Sequence, residues 1–349
     1  MEIGDTAKLA IALLLIAAAI LYLESAKPAS PSPQAGGQQG SAPELAGIAG
    51  YINAPSNLTI ASLRGKVVLV DFWAYSCINC IRTFPYLESW HEKYSGYGLV
   101  IIGVHSPEFG FEKDYGNVKA AVEKFGIKYP VVLDNSHSTW DAFHNQYWPH
   151  GYLIDAKGNI RFDHIGEGGY NETEQQIVQL LSEAKGQAVP MNSTAPNATG
   201  VDFGRIQTPE IYFGDSYRRA PLGNAPFSMA EGAEFNATIP AGSLEPNTPY
   251  LEGAWINGAD AMQLAGGKGA VELAFTAKNV NMVAGSQNGT SVSVFLDGDK
   301  AACADLGSGA CAIREQRLYS LVVLPGYGAH TLRIEANGSG LELYTFTFG

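Results

Sequence analysis

Two cysteines stand two residues apart in Cys77-Ile78-Asn79-Cys80, directly behind the apolar run Lys66-Val-Val-Leu-Val-Asp-Phe-Trp73. That spacing lets both sulfurs share a first helical turn, where they can close a disulfide and reopen it. At a strand-to-helix junction the first sulfur lies on backbone N–H groups that the helix leaves unpaired, and the helix dipole favours thiolate over thiol. The chemistry this allows is thiol–disulfide exchange, with Cys77 attacking a substrate disulfide and Cys80 resolving the mixed intermediate. Asp71 precedes Cys77 by six residues, near the end of the strand. Buried beneath the cysteine pair, its carboxyl would titrate high and could move the proton of the second thiol. The other reading is a strand-end carboxylate in solvent.

The elements that must position these groups are legible as alternating β and α segments. Residues 50–59 open a β pair, and 66–72 form a buried strand that feeds a helix over 81–94, interrupted by Pro85. Strands follow at 99–104 and 131–133, with helices at 118–125 and 139–147. A hairpin joins 152–154 to 160–164 around Asp155-Ala-Lys-Gly-Asn159, and a helix over 172–185 closes the unit. Such an order predicts a mixed sheet with helices on both faces.

The stretch VVLVDFWAYSCINC resembles the active-site strand and loop of the thioredoxin superfamily, with Asp71, Trp73, Cys77, Cys80 and Pro85 at that family's spacing. Within it, the chain is most similar to the TlpA-like and DipZ-like extracytoplasmic thiol–disulfide proteins. The likeness continues through Ile81-Arg-Thr-Phe-Pro-Tyr86, Gly103-Val-His-Ser-Pro-Glu-Phe109, Tyr129-Pro-Val-Val-Leu-Asp-Asn135 and Trp148-Pro-His-Gly-Tyr-Leu-Ile-Asp155. The resemblance implies a cis-proline at Pro149 that docks the substrate chain, with Trp73 and Trp148 flanking the substrate; an ordinary trans-proline turn is the alternative. Two branches of the same fold are excluded by spacing. Peroxiredoxins need Pro and Thr where Val70 and Ala74 stand, and copper chaperones use a wider cysteine spacing. The histidines have no paired metal spacing, so no metal and no cofactor beyond the Cys77/Cys80 disulfide is expected.

Beyond residue 208 the helical periodicity disappears. Short alternating segments at 271–276, 291–296, 317–323, 330–335 and 341–348, punctuated by Gly and Asn, predict an antiparallel jelly-roll sandwich. This part resembles the DipZ C-terminal region and, in fold, a carbohydrate-binding module. That makes polysaccharide a possible partner, with Trp255 and Tyr250 reading equally as sugar-stacking or as core residues; client positioning and a purely structural role are the other readings of the domain. Cys303 and Cys311 are too widely spaced for a redox motif and read as a structural disulfide across a loop, the alternative being reduced core cysteines.

The 349 residues carry 34 acidic and 22 basic side chains, a net charge of −12 that argues against nucleic acid. Charged residues make up only 16%, well under the usual ~25%. Seven N-x-[ST] sequons, at Asn57, Asn171, Asn192, Asn197, Asn236, Asn288 and Asn337, exceed the roughly two expected by chance, and glycans would supply the missing hydrophilicity. Leu9–Leu23 is an uncharged apolar run. At about 22 Å as a helix it suits a membrane anchor with snorkelling ends or a cleavable signal segment. The chain thus divides into a transmembrane signal-anchor (1–25), a flexible linker (26–47), a thioredoxin-like domain (48–188), a second linker (189–205) and a β-sandwich (206–349). The expected function is a membrane-tethered thiol:disulfide oxidoreductase on the extracytoplasmic side, secreted if the segment is cleaved. Its partners would be protein thiols and disulfides and a separate membrane electron donor or acceptor. The alternative is a glycan- or protein-binding surface protein whose redox domain is vestigial.

Overall fold

Val67–Trp73, apolar at every position but Asp71, becomes the central strand of the first domain's sheet, and every side chain in it is buried. The computed structural model describes residues 40–191, 200–226, 229–242, 244–305 and 309–349. In the first domain the strands are β1 (Gly40–Ser41), β2 (Gly50–Ile52), β3 (Val67–Trp73), β4 (Leu99–His105), β5 (Val131–Leu133), β6 (His150–Ile154) and β7 (Asn159–Ile165). They lie in the order β1-β7-β6-β3-β4-β5-β2. β3, β4 and β5 run parallel, and the others join antiparallel.

Alternation along β3 assigns its side chains to two cores. Val67, Leu69 and Trp73 face the cluster built with α1 (Ile78–Tyr94), α2 (Tyr115–Phe125) and α4 (Tyr170–Lys185). Val68, Val70 and Phe72 face the opposite cluster, against Trp140 and Phe143 around the short α3 (Ser138–Ala142). Pro85 does not interrupt α1, which runs on to Tyr94. Phe84, Leu87, Trp90 and Tyr94 recur on one face, and their burial holds the helix together across the missing N–H.

The first domain begins earlier than its composition suggests. Residues 40–47 were expected in a flexible linker, but Gly40 and Ser41 pair with β7, and Ala42 and Leu45 pack on the second core. The Glu44 carboxylate accepts the N–H groups of Ile60 at 2.5 Å and Ala61 at 3.0 Å, fastening the segment. Leu9–Leu23, the rest of the first linker, and the sequons at Asn192 and Asn197 lie outside the described residues. Among the described residues no helix is long and apolar enough to cross a membrane.

The second domain contains β8 (Ile211–Tyr212), β9 (Glu234–Ala237), β10 (Tyr250–Asn257), β11 (Met262–Ser286), β12 (Thr290–Leu296), β13 (Asp299–Ala301), β14 (Cys311–Ile313), β15 (Arg317–Asn337) and β16 (Leu341–Phe348). Instead of the two separate layers of a jelly-roll sandwich, they form one hydrogen-bonded sheet. The reason is the length of β11, 25 residues, and β15, 21 residues. The two stretches expected at 317–323 and 330–335 are both part of β15, which pairs with β11 on either side of a bulge. Leu324–Tyr327, containing Pro325, is bulged out of register where a proline cannot donate. Leu343 of β16 pairs with Met262 on one side and Ala284 on the other, so both ends of β11 flank the same strand and the sheet curls closed. Trp255 and Tyr250 are buried, 0% and 7% exposed, which decides for the core reading over sugar stacking. Cys303 and Cys311 are joined in a disulfide, Cα–Cα 5.5 Å, whose sulfurs belong to this core.

The two domains meet through the loop after β4. Phe109, 1% exposed, forms a buried cluster with Tyr212, Val283 and Tyr344 of the β domain. The Tyr217 hydroxyl donates to the Glu108 carbonyl at 2.5 Å, and the Gly110 N–H donates to the Asp260 carboxylate at 2.7 Å. Phe109→Ala is expected to lower stability by about 3–5 kcal/mol and to separate one denaturant transition into two, seen by following tryptophan fluorescence and circular dichroism together. Replacing Cys303 and Cys311 with Ser is expected to lower denaturant stability by about 2–3 kcal/mol while thiol–disulfide turnover persists.

Candidate active site

The C-terminal end of β3 delivers the chain to α1 through Ala74-Tyr-Ser-Cys77. Cys77 is the N-cap of that helix, with extended backbone, and its sulfur accepts the Cys80 N–H at 3.2 Å. The sulfur therefore occupies the place where a capping oxygen would stabilise the helix start, and negative charge on it is favoured by the same N–H group and by the helix dipole. The pair is present as a disulfide, Cα–Cα 5.3 Å. Cys77 is half-buried, whereas Cys80 is 0% exposed. Only the first sulfur can meet a protein substrate.

Asp71 faces the same side of the sheet as Leu69 and Trp73, the side on which Cys80 is packed. It is 4% exposed, and its Oδ2 has no hydrogen-bond partner among the described residues. Burial pushes its carboxyl up to about 8. Asp71 shares a cavity of about 40 Å³ with Thr83, Pro149 and Gly151. The Thr83 hydroxyl donates to the Cys80 carbonyl at 2.8 Å, so one wall of this cavity is bonded to the second cysteine's backbone. The cavity has room for about one water molecule.

The Trp148–Pro149 peptide is cis. Pro149 is buried, and its carbonyl accepts the Gly166 N–H at 2.8 Å. Trp148 is half-buried beside it, its indole donating to the Ser106 carbonyl at 3.0 Å and lying 4.3 Å from Trp140. Trp73 does not flank a substrate as expected. It is 0% exposed and packed edge-on against Phe84 at 5.2 Å and His105 at 4.9 Å, because its position in β3 turns it inward. It forms the floor under the cysteine loop.

Two further residues shape the site. His105 is fully buried between Trp73 and the stacked ring of Tyr75, and burial pushes its imidazole down to about 3, so it stays neutral. Glu112 is also fully buried. One of its carboxylate oxygens accepts the Ser76 N–H at 3.1 Å and hydroxyl at 2.7 Å; the other accepts the N–H groups of Glu108 at 2.7 Å and Phe109 at 3.1 Å. It ties the residue before Cys77 to the loop that meets the β domain. The only sequence signal for it is a charge set in the aromatic run Phe109-Gly-Phe-Glu112.

The chain that carries this half-buried Cys77 and sealed Cys80 at a helix start is similar to several known proteins. The Redoxin family matches residues 38–181, and the family described as thioredoxin like C-terminal domain matches 208–349. The thiol-disulfide oxidoreductase YkuV of Bacillus subtilis is 31% identical over 144 residues, 41% of this chain and 95% of that protein. The chain belongs to the thioredoxin-like thiol–disulfide oxidoreductases. Protein DipZ of Mycobacterium bovis is 39% identical over 315 residues, 89% of this chain, including the β domain. The chain spans 43% of the length of that relative. Among solved structures, a thioredoxin-like protein determined in solution in its oxidised form is 30% identical, with a TM-score of 0.39, covering 42% of this chain and 97% of that one.

The raised carboxyl of Asp71 fixes a pH signature. Its folded value near 8 lies above the ordinary 3.8, so between these the folded state holds a proton that the unfolded state has lost. Its contribution is fully present below pH ~4 and is lost as pH rises through ~8. Asp71→Asn is therefore expected to raise the melting temperature, with the gain growing from pH 4 to pH 8 and levelling above, in a calorimetric pH series.

Proposed function

We propose that this protein is a membrane-tethered thiol:disulfide oxidoreductase acting on extracytoplasmic proteins. The observation that carries the reading is the division of the pair, with an accessible Cys77 sulfur capping a helix and a sealed Cys80 above an inward-facing carboxyl. In the reducing direction, the Cys77 thiolate attacks one sulfur of a client disulfide, and the other client sulfur leaves as thiolate and takes up a proton. Cys80 then loses its proton to Asp71 and attacks the Cys77 sulfur, releasing the second client thiol and closing the Cys77–Cys80 disulfide. Two electrons pass from the protein to the client. In the oxidising direction the same steps run in reverse. With Asp71 titrating near 8, the resolving step accelerates as pH rises toward that value. Pro149 and Trp148 are the docking residues for the client chain next to the pair.

Three features support an extracytoplasmic setting. The Cys303–Cys311 pair, too far apart in sequence for a redox motif, forms a structural disulfide of the kind that persists outside the cytoplasm. The five sequon asparagines among the described residues, Asn57, Asn171, Asn236, Asn288 and Asn337, are all exposed. The apolar run Leu9–Leu23, followed by a Pro- and Gly-rich stretch, suits a tether that holds the domains off a bilayer. A separate membrane protein would then exchange electrons with the dithiol. For the β domain, client positioning is better supported than polysaccharide binding, because both stacking candidates lie in its core.

Cys80→Ser is the direct test. Mixed disulfides between Cys77 and client proteins should accumulate in membrane extracts, should dissolve on reduction, and should be absent from Cys77→Ser. If Cys80→Ser traps nothing, the pair is vestigial and the protein is a surface binding protein.

A further inference from the structure

Between the redox helix and the β domain lies a cleft of about 700 Å³. Its first wall is helical, with Ile78 from inside the dithiol motif, Ile81 behind it, and Lys124 on α2. Its second wall is the outer face of the β domain. Alternation decides which residues stand there. Val280 and Met282 of β11 enter the β core, so Asn279 and Asn281 face the other way and line the cleft.

Those two asparagines are unusual. Asn281 is 4% exposed, and its Nδ2 is buried without a hydrogen-bond partner among the described residues. The Oδ1 of Asn279 is buried in the same condition. Directly across the ladder from Asn281, Thr347 of β16 is 5% exposed, and its Oγ1 also lacks a partner. Most buried polar atoms in proteins are paired, so two unsatisfied amide atoms on residues that line a cleft, Asn279 and Asn281, point to a partner that arrives from outside. The chemistry of that partner follows from the groups. A side-chain amide presents one donor and one acceptor, the complement of a peptide group. Alternate positions of a strand repeat every ~6.6–6.8 Å, the same repeat at which an extended polypeptide shows its backbone groups to one side.

We propose that the cleft binds the extended backbone of the client polypeptide beside its reacting cysteine, with Asn279 and Asn281 bonding to main-chain groups. This rests on the oxidoreductase reading and gives the β domain half of the client site. Bonds to main chain choose conformation, not sequence, so the clients would share an unfolded or extended segment around the disulfide. A glycan is the poorer fit, since Trp255 and Tyr250 are both enclosed in the β core.

The test compares two probes in single turnovers of the pre-reduced full chain: oxidised insulin as polypeptide, and hydroxyethyl disulfide as a substrate too small to span the cleft. In an Asn279→Ala/Asn281→Ala variant, the ratio of the insulin to the hydroxyethyl disulfide rate constant is expected to fall about tenfold, the size of two modest hydrogen bonds. Asn281→Leu should lower the same ratio without lowering the melting temperature, because the group removed has no partner in the free protein. An unchanged ratio overturns the proposal. So does a lower melting temperature with both substrates slowed together, which would make the amides structural. An unchanged ratio with lost retention on a soluble glucan would assign the cleft to sugar. Wild-type protein inactive on both disulfides overturns the oxidoreductase reading itself, and the cleft proposal falls with it.

Discussion

β3 is covered on both faces, and most of the molecule follows from that enclosure. A strand sealed by helices on either side must be apolar along its length, and six of its seven residues, Val67 to Val70, Phe72 and Trp73, are. The exception, Asp71, is carried indoors by the backbone whatever its preference for water, and alternation aims it at the helix that begins with the cysteine pair. The strand's parallel pairing with β4 also fixes where the chain emerges, at the carboxyl end of the sheet, where loops collect and chemistry is found. One element thus leaves Cys77 in reach of solvent and keeps Asp71 out of it.

The first domain was largely readable because its signals are local. A dithiol at a strand end and a hairpin around Asp155–Asn159 each need only a short window and appear within a few residues of their expected places, whereas the β pair expected over 50–59 is the single short β2 and the helix expected over 139–147 ends at Ala142. What escaped was non-local. Nothing in the linker-like composition of residues 40–47 announces that Glu44 will cap backbone N–H groups at Ile60 and Ala61. Trp73 carries a family spacing, but its burial is decided by Phe84 and His105 arriving from other elements. Glu112 is one more acid until Ser76 and Phe109 converge on it.

The β domain shows the limit from the other side. Its apolar alternation marks where strands are but not how long they run. The Gly- and Lys-containing stretch Ala265–Ala270 has weak strand propensity and bulges where it leaves the β10 register, yet pairing of Gly269 and Ala270 with strands on both sides carries β11 on, and strands expected as fragments fuse into β11 and β15. That fusion turns an expected pair of layers into one curled sheet. It also offers a broad outer face to the redox domain, docked at one end through Phe109 and opening at the other beside Ile78.

The disulfide between Cys303 and Cys311 acquires a second meaning in such a protein. A catalyst of thiol exchange is a hazard to every disulfide within its reach, its own included. With both sulfurs enclosed in the β core, 0% and 1% exposed, the staple offers no attacking thiolate a line of approach. The molecule is insulated against its own reactivity, and a copy of Cys77 on a neighbouring molecule meets the same wall.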